Sequence, residues 1–346
     1  MSSRTGPETG GTDRELTFGA VRTGLLLHST AVTQELAAEL LGFVPGEQVR
    51  QARRPMGYAI SPEILTGVDC DLPSRSGSRV RGIGTFASTA TITGGRVLQG
   101  SSCARVRPAG QDYRMPWSHY LARPGAVEAV GRLNTDDVAD GFASGRSRTN
   151  GPLVAQIADH VMSKVQSSPL LDGRRPFSCP RTTLRWTLET PPPGPDTIDR
   201  IHFAETDSET RTLRLVLHGG RLPLIRTFVE NLALHDWLLT VLRTLVEKAA
   251  PGTGGTDKVV ARLRPAIDHI LHLWMPEARI DQTLRPFWQD LESHSGLTAQ
   301  WKLLENRIRD QVALAILSRQ GTTPSTAEHH DPPRTPHRTG YTVDRS

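Results

Sequence analysis

Several features that would assign this chain of 346 residues to a class are missing. The three cysteines, Cys70, Cys103 and Cys179, are far apart and odd in number, which argues against a disulfide framework or a zinc ribbon. No stretch approaches the roughly eighteen consecutive apolar residues of a membrane span. Residues 1–13 lack the apolar core of a signal peptide. We therefore expect a cytoplasmic protein with no membrane partner.

Lysine is scarce, because the 41 basic residues include only four lysines and the rest are arginines. Arginine suits phosphate and carboxylate recognition. A G+C-rich coding sequence, however, produces the same excess together with abundant Gly, Pro and Ala. The net charge of +5 is only mildly basic, and the apolar content of 37% is enough to build a core. The number of arginines alone therefore does not identify an anionic partner.

Carboxylates are absent from one long stretch, residues 72–111, which contains six arginines. Within it, β-branched residues flank Gly94-Gly95, a pair that suits the positive φ angles of a primed turn. The stretch therefore predicts a β-hairpin, and a two-residue loop would place Phe86 opposite Cys103. Because the hairpin is cationic, it suggests an anionic partner.

The same register predicts a small anion site at the open end of the hairpin. Arg105 would lie opposite Gly84 and Arg107 opposite Gly82, so that two arginines face bare backbone with room for a flat anion. The alternative is a half-buried hairpin whose arginines pair with carboxylates elsewhere in the fold.

The other arginines of this stretch do not join that site in the predicted register. Arg79 and Arg81 would lie on the opposite face, because side chains alternate along a strand. Nucleic-acid binding is possible but not favoured, since Phe86 is the one aromatic residue of the hairpin and single-strand binding uses stacking aromatics.

The overall pattern predicts an α+β protein with a β-rich N-terminal part and a C-terminal α-helical bundle. Apolar residues at three-to-four spacing predict a long helix from Leu222 to Ala249, followed by two more helices. The predicted divisions are a disordered tail at 1–14, an α+β domain at 15–220, a helical bundle at 221–320 and a second tail at 321–346.

The middle of the chain is predicted to alternate between helices and strands. Helices are expected at 117–131, 135–144 and 152–167, with Pro124 interrupting the first. Three strands follow between residues 182 and 218. The sequence leaves open whether these strands share one sheet with the N-terminal strands.

Asp69, Asp71 and His119 form a second candidate site. The two carboxylates could bind a divalent cation with a further ligand, and His119 could act as a general base, as in a metal-dependent hydrolase. The alternatives are turn residues at Asp69 and Asp71, and a hydrogen-bonded histidine at a helix start. Two flanking carboxylates should raise the pKa of the Cys70 thiol, the opposite of an activated nucleophile.

No cofactor and no metal site is predicted. Residues 82–87 match the spacing G-x-G-x-x-A of a dinucleotide fingerprint, but that motif opens a helix. Residues 85–93 are threonine-rich and strand-like instead, and no acidic residue follows at the distance that would hold a ribose.

Three strings of the sequence carry a resemblance to a family. They are Ala59-Ile-Ser-Pro-Glu-Ile-Leu-Thr-Gly-Val-Asp-Cys, Thr93-Gly-Gly-Arg-Val-Leu-Gln-Gly and Pro116-Trp-Ser-His-Tyr-Leu-Ala-Arg-Pro-Gly125. They resemble an uncharacterised actinobacterial protein family, encoded in small clusters beside a variant P-loop protein, over roughly residues 17–320. The resemblance implies a partner in a multi-protein system rather than an activity, and it assigns no functional residue.

The sequence therefore predicts a non-enzymatic binding or assembly component of a multi-protein bacterial system, acting with protein partners. Two alternatives stay open. One is a metal-dependent hydrolase that uses Asp69, Asp71 and His119, and the other is anion or nucleic-acid binding through the arginine-rich hairpin.

Overall fold

The structure is a computed structural model that describes residues 15–131, 133–144, 154–191, 199–218, 221–249 and 256–320. Both predicted tails lie outside these ranges. The described chain is an α+β protein, as predicted. Its strands are β1 (Glu15–Leu25), β2 (Arg50–Ala52), β3 (Tyr58–Ile60), β4 (Ile64–Leu72), β5 (Val80–Thr93), β6 (Val97–Pro108), β7 (Ala126–Val130), β8 (Thr182–Thr190), β9 (Arg200–Glu205) and β10 (Thr210–Val216).

Eight α-helices accompany these strands within the described ranges. They are α1 (Gln34–Leu41), α2 (Trp117–Leu121), α3 (Thr135–Ala143), α4 (Val154–Gln166), α5 (Leu222–Ala249), α6 (Thr256–His269), α7 (Arg285–Ser295) and α8 (Leu297–Gln320). Two 3₁₀ turns cover Leu271–Leu273 and Gln282–Leu284. None of the helices among these residues combines the length and the apolar character that a membrane crossing needs.

All ten described strands belong to one sheet, in the order β2-β3-β5-β7-β6-β1-β8-β10-β9, with β4 beside β5. Strand β1 is antiparallel to both β6 and β8. It therefore joins the N-terminal strands to the later strand region, which answers the question that the sequence left open. The pairs β8–β10 and β6–β7 are parallel.

Helices cover both faces of the sheet, and alternate residues of β1 show how. Phe18 and Ala20 pack in the cluster that includes residues of α3 and α4, whereas Val21 points to the other face and packs in the cluster built around α5. Residues of α6, α7 and α8 belong to that same second cluster. Because α5 lies between the sheet and these helices, most of its circumference is buried, and the core is continuous across the boundary predicted at residue 220.

The predicted hairpin exists as β5 and β6, and its turn has the predicted backbone. Gly94 and Gly95 have φ angles of 58° and 65°, and the Arg96 amide donates to the Thr93 carbonyl at 3.1 Å. Arg96 belongs to the loop, however, so that Thr93 pairs with Val97. The predicted register is therefore wrong by one residue.

The helix predicted at 117–131 is the other local error. Only Trp117–Leu121 is helical, and Ala126–Val130 forms strand β7. The helix ends before Pro124, and Gly125 turns the chain with a φ of 69°. This short strand shapes the surface on which the predicted site residues lie.

Candidate functional site

At the open end of the hairpin β5 and β6 do not pair with each other, because β7 lies between them there. Direct pairing of β5 with β6 stops at Cys103, and beyond it each strand pairs with β7 instead. The prediction that Arg105 and Arg107 lie opposite Gly84 and Gly82 is therefore wrong, since a whole strand separates the arginines from the glycines.

The two glycines are required by close packing rather than by an open anion site. A Cβ atom on Gly84 would collide with the backbone of Ala126 and Val127 on β7. A Cβ atom on Gly82 would lie 2.6 Å from the Leu72 side chain and 3.0 Å from that of Val127. Glycine at these positions lets β7 enter the sheet.

The arginines at this end pair with carboxylates, as in the alternative that the sequence left open. Arg105 and Arg107 lie 3.5 Å and 4.0 Å from the Glu15 carboxylate. Arg107 lies opposite Glu128 and Glu128 opposite Ile83, so Arg81, two residues before Ile83, shares their face. The predicted separation of Arg81 from Arg107 is therefore wrong, because a one-residue slip in register exchanges the two faces. Anion binding by Arg105 and Arg107 stays a prediction.

Asp69 on β4 is held between two arginines. Its carboxylate accepts hydrogen bonds from Arg81 Nε at 2.7 Å and from Arg114 Nε at 3.1 Å. The hydrogen bond from Arg81 is the main reason that the pKa of Asp69 lies below its usual value. Asp71 pairs directly opposite Arg81 on β5. The chemistry of Asp69 is that of an ion-pair partner for arginine.

His119 serves a different carboxylate. On α2, its Nε2 lies 2.9 Å and 3.0 Å from the two oxygens of the buried Glu128 on β7, and Arg123 also donates to Glu128. No cluster of three or more His, Cys, Asp or Glu side chains that could hold a metal ion occurs among the described residues. The metal-dependent hydrolase that combines Asp69, Asp71 and His119 therefore gains no support here and stays a prediction.

The cysteines lack the environment of reactive thiols. Burial, with smaller effects of the charges of Asp69 and Asp71, raises the pKa of Cys70 to about 11, in the direction expected from the sequence. Burial also raises the pKa values of Cys103 and Cys179 to about 11. All three thiols are free.

A pair of clefts lies at another edge of the sheet, where α5 begins. The first, of about 520 Å³, is lined by Glu15, Thr17, Arg105, Leu188, Thr190, Arg221, Leu222, Pro223 and Leu224. The second, of about 480 Å³, is lined by Asp199, Leu217, His218, Arg221, Leu224, Ile225, Asp281, Thr283, Leu284 and Phe287. Both clefts include Arg221, and each has the size of a small-molecule site.

Topology explains why polar groups meet at Arg221. Strands β8 and β10 are parallel, so their carboxyl ends lie at one edge of the sheet. Helix α5 starts at that edge, and the amides of Leu224 and Ile225 donate to the Arg221 carbonyl at 2.9 Å and 3.2 Å. Pro223 has no N–H to offer. Side chains, together with the positive end of the helix dipole, therefore provide the positive charge of this edge.

His218 forms a pair with Asp199 in the second cleft. Asp199 Oδ1 accepts from the backbone amide of His218 at 2.8 Å and lies 2.9 Å from its Nδ1. The Nε2 atom of His218 is buried and has no hydrogen-bond partner among the described residues. The carboxylate thus fixes the orientation of the ring and favours a proton on Nδ1.

The carboxylates and the arginines that line the clefts differ in their hydrogen bonds and ion pairs. Glu15 contacts Arg105, Asp199 holds His218, and Asp281 accepts hydrogen bonds from Thr283 that hold the pKa of its carboxyl below the usual value. Arg221 is exposed and makes no ion pair within the part of the chain that the structure describes. Arg221 is therefore the exposed cation of the clefts without a direct partner among the described residues, and its charge helps to lower the pKa of Asp281.

Of the residues singled out by sequence, Arg105 alone lines these clefts. His218 and Arg221 were missed, although they flank Gly219-Gly220 directly before a strongly predicted helix. A strand followed by a glycine pair and a helix start is a signal for an anion site, and it could have identified these two residues.

No family model matches this chain, and neither the curated proteins nor the solved structures contain a match to it.

Proposed function

We propose that this protein is a non-enzymatic binding component of a multi-protein bacterial system, and that it recognises an anionic group, a phosphate or a carboxylate, in the two clefts around Arg221. The observation that carries the proposal is that Arg221, an exposed cation shared by both clefts, makes no ion pair with any described residue, whereas the carboxylates beside it accept hydrogen bonds or contact an arginine.

The surroundings of Arg221 support an anion over a cation as ligand. Arg105 also lines the first cleft and is 41% exposed, so it can contact a ligand while it remains near Glu15. The ring of His218 lines the second cleft. The positive end of the α5 dipole favours negative charge at the same place.

The test is binding of inorganic pyrophosphate, measured by isothermal titration calorimetry with the full chain. Arg221→Ala should weaken binding at least about tenfold, since a charge-assisted hydrogen bond contributes about 1.5–3 kcal/mol. Arg307→Ala, on an exposed position of α8 outside the cleft lining, removes the same charge and should bind as the wild type does.

Two results would overturn the anion site. One is a wild-type protein that binds neither pyrophosphate nor a simple carboxylate at low salt. The other is an Arg221→Ala variant that binds as tightly as the Arg307→Ala control. The affinity of the wild type should also fall as salt is added, because an exposed arginine is screened.

Apolar side chains on α8 support the assembly part of the proposal. Leu303 and Leu317 are 70% and 62% exposed, and fourteen residues of helix place them within about 40° of each other around the axis. Affinity capture from the native host should retain a partner with the wild type and lose it when both leucines are changed to serine. A wild-type protein that elutes as a single monomer without any retained partner would contradict an assembly role.

A further inference from the structure

The side chain of Arg279 is buried without the partners that a guanidinium requires. It is only 3% exposed, and its Cζ lies 4.4 Å from the centre of the Tyr58 ring. The nearest carboxylate oxygen, on Glu230, is 3.9 Å from Nη2, which is beyond hydrogen-bond range. None of its three side-chain nitrogens has a hydrogen-bond partner among the described residues.

This arrangement is unusual on energetic grounds. Arginine stays protonated in proteins and carries five N–H donors. A buried charge without hydrogen bonds costs several kcal/mol. The Tyr58 ring covers one face of the guanidinium but leaves its N–H edge unused. The edge of Arg279 is therefore suited to a planar group that accepts two hydrogen bonds.

Two neighbouring amide side chains also have acceptors without partners among the described residues. Gln99 Nε2 donates to the Glu230 carbonyl at 2.9 Å, and Asn231 Nδ2 donates to the Pro276 carbonyl. Because a carbonyl can only accept, these bonds fix the orientation of both amides. The remaining amide oxygens, Gln99 Oε1 and Asn231 Oδ1, are buried and have no partner among the described residues.

Two hydroxyl groups complete the surroundings of Arg279. Thr93 pairs directly opposite Tyr58, and Thr91 pairs directly opposite Gln99, so all four side chains point to the sheet face covered by α5. The hydroxyls of Thr91 and Thr93 are buried and lack partners within the described ranges. The polar groups below α5 that lack partners within the described ranges thus include one cationic edge, two amide oxygens and two hydroxyls.

We propose that these groups form a binding site for a small carboxylate that also carries a hydroxyl or amino group. The carboxylate would lie on the edge of Arg279 with two parallel hydrogen bonds. The hydroxyl or amino group would donate to the amide oxygens of Gln99 and Asn231, which a simple carboxylate leaves unsatisfied.

The test is thermal unfolding of the full chain after equilibration with L-malate, L-aspartate, succinate or inorganic phosphate. L-malate or L-aspartate should raise the Tm by about 5 °C at a hundredfold excess over Kd. Succinate lacks the donor and should raise it less. A response to phosphate that exceeds the response to both substituted carboxylates would overturn the ligand class.

Matched variants test whether Arg279 is responsible for the rise in Tm. Glu230→Gln removes the competing carboxylate and should keep or enlarge the response, whereas Glu230→Gln combined with Arg279→Met should abolish it without leaving a stranded charge. A double variant that responds as the wild type does, or a Glu230→Gln variant that loses the response, would overturn the proposal. So would a wild type that responds to neither substituted carboxylate.

This site is independent of the clefts around Arg221. Because those clefts are proposed to bind phosphate and carboxylates as well, every ligand and variant above is compared in the Arg221→Ala background. The response to L-malate should persist there, so either proposal can fail while the other stands.

Discussion

Arg211 and Arg279 both reach helix α5, and their side chains are 4% and 3% exposed. Arg211 donates to Asp236 Oδ1 at 3.0 Å and lies 3.1 Å from the Glu205 carboxylate. It also donates to the Asp207 carbonyl. Arg279 has an aromatic ring on one face and a carboxylate at 3.9 Å. The two arginines are therefore about equally buried, but Arg211 is hydrogen-bonded, whereas Arg279 has no hydrogen-bond partner among the described residues.

The difference teaches that burial of a charge does not by itself distinguish structure from function. Arg211 is the second residue of strand β10, where the register pairs it with Glu205 and its side chain reaches Asp236 on α5, and its bonds account for its burial. Arg279 lies between the two 3₁₀ turns, and none of its side-chain nitrogens has a hydrogen-bond partner in the part of the chain that the structure describes. Unmet donors, rather than burial, make Arg279 the better candidate for a ligand contact.

The largest expected effect is at Arg211. Arg211→Met should lower the free energy of unfolding by about 3–5 kcal/mol, because it leaves Asp236 buried without its partner. Urea denaturation measures the change. A loss below about 1 kcal/mol would mean that Arg211 is no better supported than an exposed ion pair, and the comparison with Arg279 would fail.

The next largest effect is a pH dependence of the free energy of unfolding, caused by His235 on α5 near Arg279. His235 is fully buried, its Nδ1 donates to the Asn231 carbonyl, and its Nε2 accepts from the Met275 amide. Burial, with a smaller effect of the Arg279 charge, lowers its pKa to about 4. Since the unfolded histidine titrates near 6.5, its contribution is fully present above pH 6.5. It is lost as pH falls toward 4, by about 3 kcal/mol.

The measurement is urea denaturation between pH 7 and pH 4.5, with His235→Gln as the control. The neighbouring Asp236, whose pKa burial raises to about 6, acts in the opposite direction, so the histidine is isolated by the difference between the two proteins. Apart from Arg279, the rings of Trp274 and Trp288 face His235. Equal pH dependence in both proteins would show that His235 accepts a proton without loss of structure.

A smaller effect is expected when whole pairs are removed. Arg279→Met with Glu230→Gln should change the unfolding free energy by no more than about 1 kcal/mol or should stabilise the protein, since the lost contact is a long one. The matched change, Arg211→Met with Asp236→Asn, should remain destabilising because the Asp207 carbonyl loses its hydrogen bond from Arg211 and Glu205 keeps only Arg243, at 3.8 Å. Equal losses in the two double variants would erase the distinction.

The smallest effect tests the stacking on Arg279. Tyr58→Phe keeps the ring and should leave stability nearly unchanged, whereas Tyr58→Leu should cost about 1 kcal/mol in urea denaturation through loss of the cation–π contact. If Phe and Leu are equivalent at position 58, the ring does not stabilise the guanidinium.

Local features of the fold were predictable from the sequence. The α+β class follows from hydrophobic period, and the positive φ angles of Gly94 and Gly95 follow from turn chemistry. The register was missed because nothing in the sequence says that Arg96 lies in the loop. Strand β7 was missed because Ala126–Val130 becomes a strand only through β5 and β6, which pair with it from distant parts of the sequence.

The residues of the candidate sites also divide into those that local sequence predicts and those that only the folded structure reveals. Arg105 was identified from its own neighbourhood, and Arg221 could have been identified from the glycine pair before α5. Arg279 had no such signal, since Tyr58, Gln99 and Glu230 come from three distant segments that only the sheet and α5 bring together. A buried polar cluster of this kind is a property of tertiary packing.

The insertion of β7 also has a consequence for the order in which the chain folds. During synthesis β5 and β6 are complete before β7 exists, and a hairpin can zip closed along its whole length because its strands are neighbours in sequence. Strand β7 must then displace pairs at the open end rather than dock on a free edge. We expect this exchange to be a late, slow step of folding, in which Gly82 and Gly84 keep the route for the third strand free of side chains.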